Sequence, residues 1–305
     1  MSLDIDPDLK NIINQQISLQ TRLPTEADIV PYSVLFSVDN QGMVSIASHE
    51  INHEKRIDYL VDILQKEVGL PNGLKFLWLL EDYANPKCYV NNTNFSVTYN
   101  KFDDQPFILI PNEHLLLGKV KALINSVTLL DQPFDLKKKQ SIFCGTTNGP
   151  YDGSRSRYVS HAGDKDLHHV LLSNVFQMTM KQQLSYLFNI NIDGNAMCYD
   201  RLYWQMSSES VPVYINRNPK FQQLHDMLLK PNVHYIDSTV DNWSEDFQDL
   251  ISTEEKLEHC HKISKNGQVF INRHLSPDSR QISLEILNYS FRQMAIAQLN
   301  LGLGV

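Results

Sequence analysis

The 305 residues, 42% hydrophobic and 20% charged, suit one large domain or two of ordinary size and exclude a disordered chain. A formal net charge of −8 argues against a general nucleic-acid binder. No run approaches the ~18 apolar residues of a membrane span, and the acidic start MSLDIDPDLKNII lacks a signal-peptide core, so a cytoplasmic protein is expected.

In chain order, Leu9, Ile12, Ile13, Ile17 and Leu19 predict an amphipathic helix over Pro7 to Leu19. Val34 to Val38 and Met43 to Ala47, joined by Asp39-Asn-Gln-Gly42, read as a hairpin. His53 to Val68 reads as a helix with Ile57, Leu60, Val61 and Leu64 on one face, broken by Pro71-Asn-Gly73. Leu74 to Leu80 is apolar throughout, as a strand buried on both faces would be, and it ends in Glu81-Asp82-Tyr83. Strands at Phe95 to Tyr99 and Phe107 to Pro111 and a helix at His114 to Ser126 complete this half. Asp131 to Lys139, polar and holding one proline, is the expected linker between two α/β domains.

Ser141 to Gly145 starts the second half, and a Gly- and Ser-rich loop through Thr146 and Thr147 runs on to Arg155, Arg157 and Ser160. Such loops are common as ordinary turns. Tyr186 to Ile192 is rich in β-branched and aromatic residues, Asp193-Gly194-Asn195 is a turn, and Ala196 to Ser208 has helical spacing at Met197, Leu202, Tyr203 and Met206. Val211 to Ile215 reads as a strand, Phe221 to Leu229 as a helix, Val233 to Ile236 as a strand and Ser276 to Leu299 as one long helix. Strand and helix in alternation imply a parallel sheet, with ligands beyond the carboxyl ends of its strands. Arg201 lies early in the helix after the Asp-Gly-Asn turn, where free N–H groups and a planar cation would suit a diphosphate. On spacing alone, an Arg paired with Asp200 or Glu209 on a solvated surface is the favoured reading.

The segment from Ile192 to Asn195 with Arg201, Ser208 and Val211, then Leu228 to Pro231 and Val233 to Ile236 with Asp241, resembles the C-terminal half of glycosyltransferase family 90. Gly267 to Leu275 is a weaker echo. That family includes capsule-associated proteins, protein O-glucosyltransferases and xylosyltransferases, and bacterial lipopolysaccharide glycosyltransferases. The resemblance implies a GT-B-like α/β fold of two Rossmann-like domains facing a cleft. The expected divisions are 1–133 for the acceptor side, 134–280 for the nucleotide sugar, and 281–305 as a helix returning to the first domain. It implies donor contacts at Gly145, Thr146, Thr147, Arg157, Ser160, Asp193, Gly194, Asn195, Arg201 and Ser208. Cys144 fills a variable position of the Phe-x-Gly-Ser/Thr-Thr signature, an Arg in many animal members, and carries no role.

An inverting transfer needs a base for the acceptor hydroxyl and cations or N–H groups for the leaving phosphate. Asp82, at the end of an apolar strand, suits the base, and Leu79 to Pro86 resembles the family's Arg-Asp-Tyr-Pro segment. Glu81 stands where Arg is usual and two extra residues precede Pro86, so Glu81 is a rival, and both acids could simply cap the turn.

The implied partners are a UDP-sugar donor and a glycan or lipid-linked saccharide acceptor, with no nucleic acid and no obligatory cofactor or metal. Peripheral association at the inner face of the membrane, through the acceptor, fits the same reading. Asp4-Ile-Asp6 and Asp164-Lys-Asp166 match an Asp-x-Asp metal pattern but read as solvated acids, and Lys137 to Lys139 reads as a solvated face. His168-His169 and His259-Cys-His261 lack a spaced third ligand, and Cys88, Cys144, Cys198 and Cys260 form no CxxC. The expected function is transfer of a hexose or pentose to a bacterial surface glycan such as lipopolysaccharide core or capsule. The alternatives are an inactive nucleotide-sugar-binding module and a protein O-glycosyltransferase.

Overall fold

The computed structural model describes residues 5–29, 33–48, 54–80, 93–102, 105–145, 154–161, 168–172, 178–194, 200–217, 221–275 and 278–303. The chain separates into two compact units. The first holds Met1–Leu116, Lys220–Leu228 and Arg280–Val305, and the second Leu117–Pro219 and Leu229–Ser279.

In the first unit, α1 (Pro7–Ser18) starts where the Asp6 carboxylate accepts the Asp8 N–H at 2.9 Å, with proline in the first turn. β1 (Ser33–Val38) and β2 (Val44–Ser48) form the expected antiparallel hairpin. Asp39 Oδ1 accepts the N–H groups of Gln41 and Met43, and Gly42 takes the left-handed conformation at φ 79°. α2 (Glu54–Ile63) runs into a wider turn at Leu64–Val68 and stops at Gly69, φ 62°. β3 (Lys75–Leu79) is antiparallel to β1 and parallel to β4 (Ser96–Thr98). β5 (Lys101–Phe102) follows, then β6 (Ile108–Leu109) beside β4, and α3 (Glu113–Leu116). The resulting order is β2-β1-β3-β4-β6. Phe36 and Phe76 stack 5.0 Å apart in its core, and Phe291 of the last helix packs 4.5 Å from Phe76.

In the second unit, the helix expected at His114 to Ser126 proves to be two. Gly118 turns left-handed at φ 70°, and α4 (Lys119–Leu130) begins there. Next come β7 (Lys138–Gly145), α5 (Ser154–His161), β8 (His168–Leu172), α6 (Met180–Gln183), β9 (Tyr186–Asn191), α7 (Asp200–Met206) and β10 (Val211–Ile215). β11 (Phe221–Gln222) belongs to the first unit and pairs with β5 there, while β12 (Ile236–Ser238), α8 (Trp243–Leu250) and α9 (Glu254–His274) complete the second unit, and α10 (Ser279–Asn300) ends the fold. The five strands β12-β10-β9-β7-β8 are all parallel. Phe143 and Phe188 pack edge-on against Tyr158, Trp243 and Phe247 of α5 and α8. Asn191 faces α7 on the other side. The described protein is thus a mixed α/β structure with parallel strands in both larger sheets.

Two expectations in this stretch need correction. Phe221 to Leu229 is not a helix but β11 followed by a one-turn 3₁₀ helix at His225–Leu228, because ladder bonds with β5 take up its first residues. Val233 to Ile236 is mostly a turn, since Asn232 adopts φ 57° and its N–H bonds Tyr235 O at 2.7 Å. The strand starts only at Ile236.

Candidate functional site

The strand order of the second unit reverses between β7 and β9, because the chain leaves β7 for β8 on one side and returns to β9 on the other. Ligands of open parallel sheets sit outside the carboxyl ends at such a switch point, where loops leave in opposite directions. Gly145 ends β7 there, and Asp193 and Gly194 follow β9.

Side chains lie close against both glycines, an arginine at Gly194 and a phenylalanine ring at Gly145. A Cβ on Gly145 would lie 3.1 Å from the Phe143 ring and 3.7 Å from Arg201 Nη1. A Cβ on Gly194 would lie 2.9 Å from Arg155 Nη2, which a real side chain does not tolerate unless the arginine moves. Arg155, in the first turn of α5, donates from Nε and Nη2 to Ile192 O at 3.3 and 3.1 Å. Arg201, in the first turn of α7, has its Nη1 buried with no hydrogen-bond partner among the described residues. A guanidinium donor withdrawn from water and left unpaired is costly, and an anion would satisfy it. Burial pushes the neighbouring Cys144 thiol up, while the Arg201 charge opposes this.

The next strand ends are tied down. Asn216, at φ 49°, donates from Nδ2 to Ser154 Oγ at 3.0 Å and accepts the Val240 N–H at 3.1 Å. This links β10 to the start of α5. Arg217 lies over the rings of Tyr214 and Tyr235, 5.3 and 5.1 Å from their centres.

Of the residues expected to bind donor, Gly145, Asp193, Gly194 and Arg201 therefore lie at the switch point. Arg157 is exposed on α5, and its Nη2 bonds both Asp241 oxygens at 3.0 and 2.9 Å. Ser160, also exposed, donates to Arg157 O at 2.8 Å. Ser208 is buried after the carboxyl end of α7, donating to Gln205 O at 2.6 Å and accepting the Ser210 N–H at 3.0 Å. Glu81, Asp82, Thr146, Thr147 and Asn195 lie outside the described residues. Arg155 stood in the sequence as part of a loop, and its signal was its place two residues after Gly153.

Two clefts of about 510 and 520 Å³ open at the opposite, amino end of the strands, sharing Phe134, Asp135 and His261. Among the described residues no three His, Cys, Asp or Glu side chains gather as a metal site. No described helix is long and apolar enough to cross a membrane.

Residues 154–289 match the model of glycosyl transferase family 90, which supports the resemblance drawn from the sequence. The match takes in Arg155, Gly194 and Arg201 and leaves residues 1–153 unmatched. Glycosyltransferase chemistry, with a sugar donor and an acceptor, is the activity this family indicates. No curated protein matches the chain.

Proposed function

We propose that the protein is an inverting glycosyltransferase of GT-B type, moving a hexose or pentose from a UDP-sugar to a hydroxyl of a glycan or lipid-linked saccharide. The observation that carries this reading is the unpaired, buried Nη1 of Arg201 beside Gly145 at the switch point. As the glycosidic bond to the diphosphate breaks, negative charge builds on the leaving oxygen, and fixed cations stabilise it without reorganising. Arg201 supplies one such cation, and Arg155 supplies a second at the adjacent strand end. Gly145 and Gly194, lacking a Cβ, let the Phe143 ring and the Arg155 guanidinium lie close against the two strand ends. With two guanidiniums meeting the charge, transfer is expected to persist in EDTA. Asp82, with Glu81 as its rival, is the proposed base on the acceptor side. The proposed acceptor is a bacterial surface glycan such as lipopolysaccharide core or capsule.

Calorimetry with UDP on the full chain and on Arg201→Ala tests the donor site. A loss of tenfold or more is expected, since a charge-assisted bond contributes ~1.5–3 kcal/mol. Equal affinity in a folded variant removes Arg201 from the site. Asp82→Asn should lower transfer on the order of 10²–10⁴-fold while UDP still binds. If Glu81→Gln is the variant that loses transfer, the base is Glu81.

A further inference from the structure

Gln205 lies four residues after Arg201 on α7, which puts both side chains on one face of the helix. Arg201 reaches the end of β7 at Gly145, and Gln205 reaches the end of β9, where its Oε1 accepts the Asn191 Nδ2–H at 2.5 Å. Asn191 also bonds Asn189 O at 3.4 Å. These amides are deeply buried, with Asn189 1%, Asn191 0% and Gln205 2% exposed. Asn189 Oδ1 and Nδ2 and Asn191 Oδ1 have no hydrogen-bond partner among the described residues. Elsewhere the buried side chains of α7 include Leu202, Tyr203, Trp204 and Met206.

An apolar pair would fill this place at lower cost, because unmet buried amides are penalised. Apolar packing, however, is non-directional and lets a short helix slide along a sheet. A hydrogen bond is directional, and one from helix to strand sets the register of the seven-residue α7 along β9. Register one turn below Arg201 sets where the guanidinium points.

We propose that Gln205 and Asn191 are positioning residues for Arg201, holding its guanidinium at the β7–β9 switch point for the donor diphosphate. This rests on the donor site proposed above. Calorimetry with UDP, beside thermal unfolding, tests it. Gln205→Met should weaken UDP on the order of tenfold, as loosened support around a binding group does. In an Arg201→Ala background the same substitution should add nothing. The paired variant Asn191→Leu with Gln205→Met strands no amide, so it should be as stable as the native chain or more so, and still show the loss. A stable paired variant that binds UDP normally overturns the positioning role. So do losses from Gln205→Met and Arg201→Ala that simply add. Unchanged affinity in Gln205→Met beside a loss in Arg201→Ala sinks this inference and leaves the donor site standing. Unchanged affinity in Arg201→Ala itself sinks the donor site.

Discussion

The two ends of the parallel sheet in the second unit use charge in opposite ways. At the amino end, the Lys137 side chain is wholly buried, bonded to the Asp131 carboxylate and to Leu184 O. Asp131 Oδ2 accepts the Glu209 N–H at 2.6 Å, and Glu209 meets Lys265, Gln268 and His261. Burial would raise the Glu209 carboxyl, but the bonds from Lys265 and Gln268 hold it below its ordinary value. The clefts lie here, and these lining charges answer one another. At the carboxyl end, Arg201 has an unmet donor among the described residues, and two glycines let Phe143 and Arg155 lie against the strand ends. Free volume marks the first end and unmet charge the second. A ligand must pay for displacing partners at the first and gains a partner at the second.

The largest effect expected from breaking this contrast is at the amino end. Lys137→Met leaves Asp131, its side chain only 12% exposed, without its cation. Removing one member of a buried pair costs about 3–5 kcal/mol. Urea denaturation at neutral pH should show that loss, and UDP affinity of the folded variant should not change. If UDP binding falls with it, the two ends are coupled and the clefts belong to the function.

Next in size is Gly194→Ala. The new Cβ would sit 2.9 Å from Arg155 Nη2, the far end of a flexible side chain. Stability should therefore fall by only about 1 kcal/mol, the ordinary scale for a single substitution. UDP affinity should fall several-fold as Arg155 swings away from the strand end. Calorimetry and thermal unfolding on one sample separate the two. A stable variant with native UDP affinity would remove Arg155 from the site.

What the sequence made legible follows from how local each signal is. β9 and β10 announce themselves as runs of apolar and β-branched residues, while β7 shows only its Ser141–Gly145 half, since Lys138 and Lys139 read as linker; the Asp-Gly-Asn turn places Arg201 at a helix start without reference to any other part of the chain. Resemblance then singled out Gly145 and Gly194, which the structure brings to adjacent strand ends. The failures have local causes at Gly118 and Asn232, which turn left-handed, and more distant ones elsewhere. β11 could not be read from Phe221-Gln222 because its ladder is with Lys101-Phe102, far away in the sequence. Ser208 sits after the carboxyl end of α7 because its hydroxyl caps the Gln205 carbonyl there, a choice its spacing from Arg201 does not reveal. Asn189 and Asn191 read as strand residues, and only the packing of α7 shows their amides buried.

The smallest effect expected is at Arg157, and it sharpens the carboxyl end itself. Two arginines two residues apart on a helix point in different directions. Arg155 turns to Ile192 and Gly194, and Arg157 turns out to Asp241. The Arg157–Asp241 side chains are 45% and 64% exposed, so their ion pair should contribute no more than about 1 kcal/mol and should weaken with salt. Arg157→Ala should thus shift unfolding little, and should change UDP affinity by less than about twofold if the pair is only a surface contact. Arg155→Ala, measured beside it, should lose several-fold more. If Arg157→Ala costs as much affinity as Arg155→Ala, Arg157 must leave Asp241 when the donor binds, as the resemblance to the family signature implies. Asp241→Asn decides the matter. It frees Arg157 without removing it, so it should tighten UDP binding if Arg157 is drawn to the phosphates and leave it unchanged if Arg155 and Arg201 hold them alone.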